Sequence, residues 1–160
     1  MTWRRRLRRR WARECEMDLV SVYWSHGKRL VVIPTLAKTE AGFWLEGEPV
    51  AAVPILDSES IARAIMERVL APSKLVPTPP ARSRSKPAVL KPGRVRSWSQ
   101  FHWNYSVLQI ATDREGKFSV AVWEKHADGS YRPCAELPAV GAESLDDAIS
   151  TVIREIERPE

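Results

Sequence analysis

Cysteine is nearly missing from this chain: Cys15 and Cys134 are the only two in 160 residues. They stand far apart, so they build neither a disulfide scaffold nor a four-ligand structural zinc site. They read as reduced thiols of a cytoplasmic protein. Long apolar runs are missing too. The longest, at residues 30–33, stops at Pro34, well short of the ~20 residues of a membrane-spanning helix, so no membrane association is expected. The basic start of the chain resembles the first part of a secretory signal, but Trp11-Ala12-Arg13-Glu14-Cys15-Glu16 occupies the place of its apolar core. No Gly-rich phosphate loop occurs. His26, His102 and His126 fall in unrelated turns or strand ends, without metal-ligand spacing. No catalytic residue, metal or cofactor is therefore expected, and the chain reads as non-enzymatic.

What is present suffices for one folded domain. The chain is 44% hydrophobic and 28% charged and holds seven Trp, enough apolar mass to order a core. The net charge of +5 is unevenly spread. Residues 1–16 form a basic arm with seven Arg against two Glu. Residues 71–100 carry seven bases and no acid, together with six of the twelve prolines. Proline lacks an amide donor and fixes φ, so this stretch reads as an extended, mobile linker. The rest is acidic: five bases against seven acids over residues 17–70, and six against eleven over residues 101–160.

The two acidic segments read as an internal repeat. A shift of 87 residues lays Val31-Val32-Ile33 on Phe118-Ser119-Val120, Gly42 on Gly129, Ile65-Met66 on Val152-Ile153 and Val69 on Ile156. In the first unit, β-favouring runs cover residues 18–24, 29–37, 43–46 and 50–56, with turns at Ser25-His26-Gly27-Lys28 and at Gly42. Asp57 then reads as an N-cap, and Ile61, Ala62, Ile65, Met66 and Val69 recur at helical spacing. In the second unit, strands are expected at 103–112 and 117–125, with a hairpin signal at Asp128-Gly129 and weaker strand material over 130–140. Ser144-Leu145-Asp146-Asp147 resembles a capping box ahead of a helix whose apolar face is Leu145, Ile149, Val152, Ile153 and Ile156. The expected fold is α+β, with two antiparallel β-β-β-β-α units (residues 17–70 and 101–160) packed as one domain and joined by the linker. Tyr23, Trp24, Phe43, Trp44, Trp123 and Tyr131 either line a base-stacking sheet face or serve as core. The pair Tyr23-Trp24 points one ring in and one out.

The basic segments carry the functional signal. In the arm, Arg4, Arg5, Arg6, Arg8, Arg9 and Arg10 lie between Trp3 and Trp11. Guanidinium groups bind phosphates bidentately and indoles stack on unpaired bases, so the mixture suits a single-stranded nucleic acid. Arg82, Arg84 and Lys86 extend it in the linker, with Trp98 as a further stacking candidate.

The element order resembles that of the Whirly and Pur-type single-stranded nucleic-acid-binding proteins over residues 18–70 and 101–157. Gly27-Lys28 before a β-run, echoed by Gly116-Lys117, is similar to a Gly-Lys of Whirly proteins; the longer family motif is absent, since Arg29-Leu30-Val31 and Phe118-Ser119-Val120 follow. The resemblance implies pseudosymmetric sheets and helices packed across one another, and phosphate-backbone contacts from Lys28 and Lys117. The acidic units depart from this pattern and support another expectation. Some bacterial toxin-immunity proteins are similar in size and in having a sheet-and-helix fold, and an acidic surface complements a basic nuclease. The candidate partners are therefore a single-stranded DNA or RNA, a toxin protein, and a second copy of the chain.

Overall fold

The computed structural model describes residues 18–71, 74–80, 86–134 and 136–159. The arm residues Trp3, Arg4, Arg5, Arg6, Arg8, Arg9, Arg10 and Trp11, and the linker residues Arg82 and Arg84, lie outside them. The elements are β1 (Asp18–Ser25), β2 (Leu30–Thr39), β3 (Trp44–Pro54), α1 (Ser58–Leu70), β4 (Leu75–Val76), α2 (Trp98–Asn104), β5 (Ser106–Thr112), β6 (Phe118–Lys125), β7 (Tyr131–Pro133), β8 (Val140–Ala142) and α3 (Leu145–Glu157). Among the described residues the fold is α+β with a mostly antiparallel sheet and three helices. The strand order is β3-β2-β1-β5-β6-β7; β8 also pairs with β6, and β4 joins the end of β2 in parallel. At the centre, β1 and β5 pair in register from Asp18 with Thr112 to Trp24 with Ser106.

Alternation along the strands sends side chains to two faces, and both faces are covered. On one, Val20, Val22, Trp24, Val31, Ile33, Leu108 and Ile110 pack under α1 and α3. Asp57 caps α1 by accepting from Ser60 N at 3.0 Å, and Ser144 caps α3 by accepting from Asp147 N at 3.1 Å, as their sequences predict. Ile61 and Ile65 of α1, and Ile149, Val152 and Ile156 of α3, are buried. Met66 is not: it is 38% exposed, on the solvent flank of the apolar stripe.

The second face holds the larger departures. Residues 86–100 were expected to be part of the linker, yet they pack there together with residues 101–105. Val89, Leu90, Phe101 and Tyr105 are buried against Tyr23, Leu30, Val32 and Val107. Each such side chain contributes about 1.5–3 kcal/mol on burial, enough to hold a proline-containing segment down. Gly93 permits the close packing: a Cβ there would lie 2.8 Å from the Val89 carbonyl oxygen and 2.9 Å from the Phe101 ring. Phe101 stacks on Tyr105 with centroids 4.3 Å apart, and Tyr23 meets Phe101 edge-on at 5.0 Å. Because both faces are covered, Tyr23 and Trp24 are both buried, rather than one in and one out.

Two strand assignments also change. Residues 103 and 104 belong to α2 rather than to a strand, because Ser97 caps a helix there by accepting from Gln100 N at 3.2 Å. Residues 43–46 and 50–56, expected as two strands, are one strand across Gly47-Glu48-Pro49, with a cis Glu48–Pro49 peptide and a bulge in β3 itself, where residues 48–50 face Pro34 alone between the pairs Ile33–Ala51 and Thr35–Gly47. An edge strand tolerates proline because one side needs no donor.

Candidate functional site

The β1–β2 turn is built by backbone chemistry. Ser25 Oγ accepts from Lys28 N at 3.1 Å, Arg29 N donates to His26 O at 3.1 Å, and Arg29 O receives Ile55 N at 3.1 Å. The left-handed position is taken by Arg29 (φ 55°), not by Gly27. Arg94, in the turn after Val89-Leu90, is left-handed as well (φ 57°). A non-glycine residue in that region costs on the order of 1 kcal/mol or more.

Both strained arginines line one recess. It measures about 330 Å³ and is walled by Lys28, Arg29 and Arg94 with the apolar Leu30, Ile55 and Leu56. Among the described residues, its lining carries three cations and no acid. Leu56 is 79% exposed at its mouth.

The same turn contributes Ser25 and Gly27 to a second, larger groove of about 650 Å³. Two indoles, Trp103 and Trp123, lie along it with Asn104, Glu124 and Lys125. Trp103 is 83% exposed, on the side of α2 opposite Phe101. Its backbone is anchored, since Trp103 O accepts from Lys125 Nζ at 2.9 Å. Asn104 donates its amide to Gln100 O at 2.7 Å, and Glu124 meets His126 at 3.2 Å. Trp123 packs partly into the aromatic cluster of the second face. The groove therefore offers two indole surfaces and several hydrogen-bonding groups next to a cationic recess. Among the described residues, no group of His, Cys, Asp and Glu is placed to hold a metal ion, and no helix is long and apolar enough to cross a membrane.

The residues singled out from sequence distribute as follows. Lys28 is half-buried in the recess. Lys117 is exposed at the opposite end of the sheet, because β1 and β5 run antiparallel. Its turn is closed by Asp113, whose carboxylate accepts from Glu115 N and Lys117 N at 2.9 Å each. The two lysines are thus not brought together. Lys86 is exposed. Trp98 is half-buried, stacked on Phe101 at 5.5 Å, and donates its indole N–H to Gly129 O at 2.8 Å. That ring is largely committed to the fold. Sequence reasoning missed Arg29, Arg94 and Trp103, and placed Trp123 only among the strand aromatics. Helical spacing of Trp98, Phe101 and Tyr105 was the available signal, since it leaves Trp103 facing outward.

Comparison with protein-family models gives no match, and comparison with curated proteins gives none either. Among solved structures, the fold is similar to that of NMB0488 from Neisseria meningitidis, a protein of unknown function. The TM-score is 0.58 at 10% identity, over 89% of this chain and 94% of that one. At this identity the likeness concerns the fold alone.

Proposed function

We propose that the chain is a non-catalytic protein that binds single-stranded DNA or RNA through its basic arm and its basic 71–100 segment. One observation supports this most. Part of the segment is packed on the sheet, which sets Arg94 beside Lys28 and Arg29 in a recess whose described lining holds no acid. An exposed indole, Trp103, beside the half-buried Trp123 and clustered cations is the combination that single strands require.

The test is an anisotropy titration of a labelled single-stranded oligonucleotide across salt concentrations. Affinity should fall steeply with salt, by a logarithmic slope of about −0.7 per phosphate neutralised. Deleting residues 1–13 should weaken binding several-fold and flatten the slope. An unchanged slope refutes the role of the arm, and no binding at low salt refutes the function.

A second reading rests on the acidic side of the molecule. Glu143, Asp146, Asp147 and Glu157 are exposed on and just before α3, a surface suited to a basic toxin nuclease. A stoichiometric protein partner that survives nuclease treatment, with no oligonucleotide binding, favours that reading.

The proposed architecture is a pseudo-two-fold duplication, in line with the Whirly and Pur-type layout. Its support is the matched lengths of α1 and α3, 13 residues each. Their caps are 87 positions apart, and β1 meets β5 across the centre. On this reading β7 and β8, both on β6, stand where β3 stands on β2.

A further inference from the structure

We infer that the end of the sheet around the β1–β2 turn is a nucleotide subsite: one unpaired base stacks on Trp103 in the indole groove while a neighbouring phosphate sits in the Lys28–Arg29–Arg94 recess. The inference rests on the nucleic-acid reading and names where the folded domain, as distinct from the arm, makes contact.

Three observations converge. First, Trp103 leaves 83% of its surface in solvent although the other rings of its helix are half or fully buried. An indole exposed to this degree contributes little to the fold, and its main chain is held by Lys125. It is an open stacking face on an anchored backbone. Second, the recess concentrates three cations and, among the described residues, no acid, and two of the cations stand on left-handed backbone. Strain of this kind is retained where surrounding structure enforces it, typically at binding sites. Third, the single β1–β2 turn supplies residues to both cavities, so base and phosphate of adjoining nucleotides fall within reach of one structural element. Charge complementarity decides the occupant. A three-cation recess suits a phosphodiester, and an indole stacks on any base face. Asn104 and Glu124 add acceptors along the groove, which pair with the amino group of adenine, cytosine or guanine.

The experiment uses the full chain and a labelled mixed-sequence single strand of about 12 nucleotides, within the span of small single-strand sites. Trp103→Ala should lower affinity about tenfold, and Trp103→Phe should retain most of it, because a stacking face remains. Arg29→Ala with Arg94→Ala should flatten the salt slope by about 0.7, because the one phosphate held in the recess is no longer neutralised. Arg114→Ala, in the exposed turn at the far end of the sheet, should change nothing. Circular dichroism and urea unfolding of each variant establish that it is folded; Trp103 is exposed enough for its replacement to leave the core intact. If the wild-type chain binds and the Trp103 and Arg variants bind equally well, the subsite is wrong while the nucleic-acid reading stands on the arm. If the wild-type chain does not bind, both fall.

Discussion

Glu46 shows how far burial reaches into the chemistry of single residues. It lies on β3, where the Tyr23 hydroxyl donates a hydrogen bond to its carboxylate. Burial raises the Glu46 carboxyl above its usual range, and the Tyr23 bond offsets only part of that. The Tyr23 and Tyr131 phenols are pushed up as well, first by burial and then by the Glu46 charge. The raised folded value fixes the sign. The native state retains the Glu46 proton over a pH range in which the unfolded chain has lost it. Stability from this group is complete below the ordinary carboxylate value of about 4.5, and it declines as pH rises through the folded value. Glu46→Gln keeps a hydrogen-bond acceptor and removes the charge. Urea unfolding from pH 4 upward should show a decline for wild type that is absent in Glu46→Gln; parallel curves would contradict the assignment. Asp128 acts in the opposite sense. Hydrogen bonds from Ser130 lower its carboxyl to about 2, so its small exposed contribution is lost only in strong acid.

At the scale of elements, helices with side-chain caps were legible and the aromatic segment was not. Asp57 and Ser144 announce α1 and α3 because a cap and a 3.6-residue apolar rhythm agree. The Asp128-Gly129 hairpin was legible for a similar reason: Gly129 supplies the left-handed turn residue, at φ 82°. By contrast, proline and arginine around residues 86–96 look like solvated linker. What overrides them is the pairing of Val89 and Leu90 with α2, which no local pattern reveals. In β3, Gly47 and Pro49 look like breakers, but an edge strand needs donors on one side only. The packed segment makes a quantitative prediction. Phe101→Ala removes a fully buried ring at the centre of the second face and should cost about 3–5 kcal/mol. Urea midpoints check this, and a loss below about 1 kcal/mol would mean that α2 does not belong to the cooperative core.

Viewed whole, the molecule separates its charges. The arm and the 71–100 segment are strongly basic, while residues 17–70 and 101–160 are acidic on balance. Charge and composition made this separation readable, together with the arm as a candidate contact. They did not show that part of the basic segment is folded onto the sheet beside Lys28, since that depends on packing between distant residues. Nor did they bring Arg29, Arg94 and Trp103 to one end of the sheet. On the resulting account, a single strand meets the arm and the β1–β2 end of the sheet, and the acidic helical side turns away from it. Ultraviolet cross-linking of the full chain to a single-stranded oligonucleotide, followed by peptide mapping, puts this to the test. The account predicts adducts in the arm and in the peptide containing Trp103, suppressed by high salt and by excess unlabelled single strand. Adducts confined to the acidic α3 face, or none at low salt, would contradict it.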